Sequence, residues 1–298
     1  MWHSRRESTR CSSEYDQTAY GGVAERIVFV PPISLYNNQA ALRYGPSGAR
    51  TPAASSYTVR VNREYHKWYS PHLQRDMELL AYGHAGMPVI VFPTSMGRFY
   101  DYEDRGMIGA IGHQYDAGRL QAFCLDSVDA ESWYNRGIPP RERALRHLQY
   151  ESYVIHEALA FIRGRNPETR VAVTGCSFGG YHCVNFALRH PELVGPCVSM
   201  GGAFDIHQFL NGYYDDNCYF NCPPDFLSNL TDERYLSEYR NGMRLVLATG
   251  ETDICLNENL RLAGIMDGKQ IPHWLDVWGD GTGHDWPWWQ RMAVKFFG

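Results

Sequence analysis

The sequence predicts an α/β domain whose mostly parallel sheet is covered by helices on both faces. From about residue 88 onward, short apolar runs alternate with segments compatible with helices, as in a succession of βαβ units. Before that point, strand-like segments follow one another without an intervening helix, which predicts antiparallel opening strands. In such a domain the ligand chemistry is expected at the carboxyl ends of the strands.

The composition allows one large globular domain. The chain has 298 residues and is 44% hydrophobic, which is enough for a single core. We place this domain at residues 57–298. Residues 1–56 form an N-terminal extension with six arginines, no lysine and little periodicity, a pattern typical of partial disorder.

The opening strands are predicted from alternation and turn residues. Residues 57–61 alternate as a strand does, and residues 77–82 run into Gly83-His84-Ala85-Gly86, which predicts a strand that enters a hairpin. Residues 88–92 are apolar throughout, as expected for a strand buried on both faces.

The alternating region then predicts a series of further elements and an insertion at about residues 211–241. The long helix has a proline in its first turn, where proline is favoured. In chain order we predict a helix at 107–115, a strand at 120–125, a helix at 140–163, a strand at 171–173, a helix at 181–189, strands at 193–200 and 244–248, a helix at 258–266, a strand at 272–277 and a closing helix.

The segment Gly175-Cys176-Ser177-Phe178-Gly179 joins one of these strands to a helix, which is the setting of a nucleophile elbow. The turn is sharp enough to strain the serine backbone, and side chains at the flanking glycines would collide with neighbouring backbone. Ser177 is therefore the candidate nucleophile. His182, on the outgoing helix, is expected to pack rather than to react.

A serine hydroxyl needs a base to take its proton and a third group to orient that base. In this architecture the acid and then the histidine follow the serine, each in a loop after a later strand. Asp253 and His284 occupy these positions. Glu251 and Asp205 remain alternatives for the acid.

An oxyanion also needs two positioned N–H donors. The first is the backbone N–H of Phe178, which follows the nucleophile. The second is expected in the loop after the strand at 88–92, where we favour Ser95 over Met96. Trp133 and Tyr134, in an aromatic loop near the elbow, are predicted to contact substrate.

Composition excludes several classes of partner. The net charge is −5, without a basic stripe, so nucleic acid is not expected. No apolar run of membrane length and no secretory leader is recognisable, so we expect a cytoplasmic protein without a membrane partner. Cys218 and Cys222 are the one close cysteine pair and lack a second pair at zinc spacing, so neither a metal nor another cofactor is predicted.

The chain resembles the putative-esterase branch of the α/β-hydrolases, which includes S-formylglutathione hydrolase (esterase D), feruloyl esterases and mycolyltransferases. The resemblance spans about residues 57–298 and departs at the oxyanion loop, where many relatives have a Gly-Leu pair. The residues that carry it are Gly175 to Gly180, His190-Pro191-Glu192, Gly202-Ala203-Phe204-Asp205, Gly250, Asp253, Gly283 and His284.

The resemblance implies the α/β-hydrolase fold and a cofactor-free serine carboxylesterase that works through an acyl-enzyme. The absence of a long apolar lid segment favours short-chain or aromatic acyl esters over triglycerides. Two alternatives stay open: an acyltransferase that uses the same triad, which the resemblance also permits, and a non-catalytic binding protein on a hydrolase scaffold.

Overall fold

A computed structural model describes residues 62–298 of the chain. The predicted extension at 1–56 and the predicted strand at 57–61 lie outside the described residues.

Eight strands form one sheet in the spatial order β1-β2-β4-β3-β5-β6-β7-β8. β2 is antiparallel to both β1 and β4, and every other neighbouring pair is parallel. The predicted mostly parallel sheet with antiparallel opening strands is therefore confirmed. The strands are β1 (Arg63–Ser70), β2 (Arg75–Tyr82), β3 (Met87–Phe92), β4 (Leu120–Leu125), β5 (Val171–Cys176), β6 (Val194–Met200), β7 (Arg244–Gly250) and β8 (His273–Trp278).

The hairpin predicted after residue 82 is wrong. Residues 83–86 do connect β2 to β3, but β4 lies between these two strands in the sheet. The hairpin instead joins β1 to β2. These two strands pair up to Ser70 and Arg75, which flank the turn. Local turn residues cannot reveal that a later strand inserts between two consecutive ones.

The helices follow the predicted alternation, with two local differences. The helix predicted at 107–115 is split into two short helices, and the insertion at 211–241 contains three short helices. The helices are α1 (Asp101–Asp104), α2 (Met107–Ala110), α3 (Gly112–Asp116), α4 (Pro140–Tyr153), which continues through a π-helical turn (Val154–Ala158) into α5 (Leu159–Arg163), α6 (Phe178–Arg189), α7 (Asp216–Tyr219), α8 (Pro223–Asn229), α9 (Glu233–Asn241), α10 (Leu256–Gly268) and α11 (Trp286–Phe297), with a 3₁₀ turn at His207–Phe209.

Two apolar layers cover the two faces of the sheet, as predicted. Along β3, Ile90 and Phe92 belong to the layer that contains α4, α5, α6 and α10, whereas Val89 and Val91 belong to the layer that contains α2 and α11. This alternation is the consequence of the two-residue period of a strand. Full burial of each such side chain contributes about 1.5–3 kcal/mol.

The parallel strands present their carboxyl ends along one edge of the sheet. The loops that follow β3, β4, β5, β6, β7 and β8 therefore meet there. Among the described helices, none is long and apolar enough to cross a membrane.

Candidate active site

Ser177 lies in the turn between β5 and α6 with a strained backbone, at φ 56° and ψ −121°. Its N–H donates to the carbonyl of Met200 on the neighbouring strand at 2.9 Å, which ties the turn to β6. Two residues later, a Cβ on Gly179 would lie 2.5 Å from the carbonyl oxygen of Phe92. Only glycine lets the first turn of α6 lie this close to the end of β3.

The structure brings Ser177, His284 and Asp253 together in one hydrogen-bonded chain. His284 Nε2 is 2.8 Å from Ser177 Oγ, and His284 Nδ1 is 2.8 Å from Asp253 Oδ1. An ionised carboxylate can only accept hydrogen bonds, so Nδ1 carries the ring proton and donates a hydrogen bond to Asp253. The lone pair of Nε2 is therefore left facing the serine hydroxyl, which is the arrangement a general base requires.

Asp253 is held in place by Cys255, the N-cap residue of α10. The N–H of Cys255 donates to Asp253 Oδ1 at 2.7 Å, and the carboxylate is fully buried. Its second oxygen, Oδ2, has no hydrogen-bond partner among the described residues. Burial raises the pKa of the Cys255 thiol to about 12, so this group stays protonated beside the carboxylate.

The two alternative acids lie elsewhere. Asp205 accepts from His207 Nδ1 at 2.6 Å and from Arg261 at 3.1 Å. Glu251 accepts from the N–H of Gly281 at 2.6 Å. Among the described contacts, neither carboxylate reaches His284, whose carboxylate partner is Asp253.

The two candidate oxyanion donors in the loop after β3 differ in what they already bind. The N–H of Met96 donates to Asp129 Oδ2 at 3.1 Å. The N–H of Ser95 donates no hydrogen bond within residues 62–298. Phe178 is the first residue of α6, so its N–H has no acceptor one turn earlier in the helix. Ser95 and Phe178 therefore offer the unengaged donors.

The two aromatic residues predicted to contact substrate occupy different environments. Trp133 is completely buried, and its contact with substrate stays a prediction. Tyr134 is half-buried, with its ring 5.3 Å from that of Phe178 and its hydroxyl donating to Ser95 Oγ at 2.7 Å. It therefore touches both residues that offer the unengaged N–H donors.

Sequence reasoning missed Asp129, which accepts hydrogen bonds from both Met96 and His182. His182 is expected to be a packing residue, and its ring contacts those of Phe92 and Phe178. A lone Asp in a loop and a lone His on an apolar helix carry no sequence signal that they will meet.

Two groups of side chains within the described part of the chain lie close enough to share a metal ion. One is Asp253, Cys255 and His284, which belongs to the chain of hydrogen bonds just described. The other is Asp205, His207 and Cys222, where Arg261 already neutralises the aspartate. Cys218 and Cys222 are both free and buried.

A cavity of about 640 Å³ lies beside the insertion. None of Ser177, Asp253 and His284 is among the residues that line it. The lining is mixed, with aromatic rings and charged groups that include His207, Tyr213, Tyr214, Tyr219, Asp225 and Arg261.

Residues 125–294, more than half of the chain, match the family described as Putative esterase. The chain belongs to this family. This esterase is therefore a carboxylic ester hydrolase, and the predicted resemblance is confirmed. No curated protein matches the esterase by sequence.

Solved structures resemble the esterase in fold. A ferulic acid esterase aligns with a TM-score of 0.64 at 14% identity, over 79% of this chain and 95% of the other. An S-formylglutathione hydrolase from Staphylococcus aureus aligns with a TM-score of 0.61 at 14% identity, over 79% and 94%. A fluorophosphonate-binding serine hydrolase from the same organism gives 0.55 at 15% identity, over 79% and 96%. These likenesses confirm the α/β-hydrolase fold.

Proposed function

We propose that the esterase is a serine carboxylesterase that cleaves short-chain or aromatic acyl esters through an acyl-enzyme on Ser177. The observation that carries this proposal is the chain of two 2.8 Å contacts from Ser177 Oγ through His284 to Asp253. A buried carboxylate at the end of the chain fixes the imidazole tautomer that can take the serine proton.

In the acylation step, Ser177 Oγ attacks the ester carbonyl while its proton passes to His284 Nε2. Asp253 stabilises the imidazolium that forms, and the N–H groups of Phe178 and Ser95 stabilise the oxyanion. The tetrahedral intermediate then re-forms its carbonyl and breaks the bond to the alcohol oxygen, which takes the proton from Nε2 and leaves as the alcohol. In deacylation, water loses a proton to Nε2, attacks the acyl carbonyl, and the acid departs as Ser177 recovers its proton.

Two observations support the proposed acyl range. The insertion supplies three short helices, of four, seven and nine residues, rather than one long apolar helix that would cover a lipid chain. The structural neighbours include an esterase named for ferulic acid, an aromatic acid, and a hydrolase named for S-formylglutathione, a one-carbon acyl thioester.

The test compares wild type with Ser177→Ala on p-nitrophenyl acetate, butyrate and decanoate and on methyl ferulate. We expect turnover of acetate, butyrate or ferulate to exceed that of decanoate, and the variant to lose at least about 10³-fold in kcat. A fluorophosphonate should add one group to wild type, mapped by mass spectrometry to Ser177. Full activity of Ser177→Ala would refute the mechanism, and faster turnover of decanoate would refute the acyl range.

The acyltransferase alternative is separated by product analysis. With an added alcohol acceptor, a transferase yields mainly the new ester, whereas an esterase yields mainly the free acid. We expect the free acid.

A further inference from the structure

A buried pair formed by Asp129 and His182 lies directly behind the site. Asp129 belongs to the loop after β4 and His182 to the second turn of α6, and their side chains are 1% and 3% exposed. Asp129 Oδ1 is 2.9 Å from His182 Nε2. Because the carboxylate can only accept, His182 donates this hydrogen bond. The hydrogen-bonded chain of Ser177, His284 and Asp253 does not include this pair.

The second oxygen of the same carboxylate binds the oxyanion loop. Asp129 Oδ2 accepts the N–H of Met96 at 3.1 Å, and Met96 has a left-handed backbone, at φ 54°. A non-glycine residue in this conformation costs about 1–2 kcal/mol. The hydrogen bond from Met96 to Asp129 therefore stabilises a loop conformation that is unfavourable for the backbone alone. This shape leaves the neighbouring N–H of Ser95 unengaged.

His182, the other residue that binds Asp129, contacts the residue that supplies the other N–H donor of the oxyanion hole. The ring of His182 packs edge-on against that of Phe178, with centroids 5.0 Å apart. Phe178 supplies the other proposed N–H donor. One carboxylate therefore reaches both segments that must present an N–H to the same oxygen atom.

Other contacts attach the oxyanion loop to the loop after β4, and among them only Tyr134 extends to α6, through its ring contact with Phe178. Tyr134 donates to Ser95 Oγ, Ser127 donates to the carbonyl of Gly97 at 2.9 Å, and Arg98 binds Asp126 at 2.6 Å. Asp129 alone among these residues also forms a hydrogen bond with a side chain of α6.

We infer that Asp129 and His182 are positioning residues that fix the spacing between the two N–H donors of the oxyanion hole. This inference rests on the proposed function. Because the oxyanion exists only in the tetrahedral state, loss of the pair should lower kcat and leave KM nearly unchanged. Removal of one oxyanion donor costs about 10²–10³-fold in other hydrolases, so we expect a loss of about 10²-fold.

The primary variant is Asp129→Leu, which keeps the approximate volume and removes both acceptors. A matched control is Glu151→Leu, because Glu151 is also a buried carboxylate that binds α6, but at the far end, through Arg189 and His190. Both variants should lower the melting temperature. Only Asp129→Leu should lower kcat, and it should weaken binding of a trifluoromethyl ketone, which forms a tetrahedral oxyanion, by a similar factor. Affinity for the planar product acid should be unchanged.

A more conservative variant, Asp129→Asn, serves as the test if the leucine variant does not fold. Its amide oxygen can still accept from Met96, and its NH₂ group can donate to His182 Nε2 once that ring moves its proton to Nδ1. We expect a loss in kcat below about 10-fold, compared with about 10²-fold for leucine.

The inference is overturned if Asp129→Leu keeps kcat and the affinity for the ketone, or if Glu151→Leu loses kcat to the same extent. It is also overturned if the soluble Asp129→Asn variant loses ketone affinity and product-acid affinity equally. A Ser177→Ala variant that keeps full activity would instead refute the proposed function. The two failures are therefore distinguishable.

Discussion

Replacement of Gly201 by alanine tests whether the catalytic geometry depends on space behind the acid. Gly201 follows β6 with φ 59°, and an added Cβ would lie 2.7 Å from Asp253 Oδ2 and 3.2 Å from His284 Nδ1. These contacts are too short, so the carboxylate must move by about 0.5 Å. Oδ2 has no partner to resist this, but the movement carries with it Oδ1, which orients His284.

The expected size of the effect follows from this displacement. A misplacement of about 1 Å costs about 10²-fold in rate, so we expect Gly201→Ala to lower kcat by roughly 10- to 100-fold. This corresponds to about 1.4–2.7 kcal/mol of lost transition-state stabilisation. The left-handed backbone should in addition lower the free energy of unfolding by about 1–2 kcal/mol.

Gly212→Ala is the matched control. Gly212 is also left-handed, at φ 82°, but an added Cβ would meet nothing within 4 Å. It should therefore lose stability without losing activity. The assays are urea unfolding and p-nitrophenyl acetate turnover for both variants. Equal kcat in the two variants would refute the claim that Gly201 leaves room for the acid.

Three further outcomes are expected. Met96→Gly should raise the free energy of unfolding by about 0.5–1 kcal/mol, because it relieves a left-handed residue whose side chain is mostly exposed; a lower urea midpoint would contradict this. Burial lowers the pKa of His147 to about 3, so the unfolded chain binds the extra proton below pH 6.5 and stability falls by about 2 kcal/mol between pH 8 and pH 5. His147→Gln should flatten that part of the urea-derived pH profile, and an unchanged slope would count against it. Gly179→Ala should yield little folded protein by circular dichroism, because its Cβ would clash with the backbone of Phe92 and Pro93. A native-like spectrum with wild-type stability would exclude the clash.

Much of the fold followed from local pattern. The apolar run that became β3 and the long helix at 140–163 were both predicted, because burial on both faces and an amphipathic repeat leave a direct trace in the residues. The pairing of β2 with β4 was not predicted, because strand order depends on residues far apart in the chain. The same limit applies to Trp133, whose burial depends on what covers it.

The sequence by itself determined the elbow at Ser177 and the loops in which the base and the acid had to be sought. A strained strand-to-helix turn needs its glycines, and parallel strands need their loops at one edge. The tertiary structure decided which acid meets the histidine, because Asp205, Glu251 and Asp253 all lie in loops at the carboxyl ends of the strands. Ser177 and His284 themselves are 107 positions apart in the chain. It also decided that Asp129 engages Met96 and leaves Ser95 unengaged. Hydrogen bonds of about 2.8 Å require atomic positions, and these are fixed only when the whole sheet has packed.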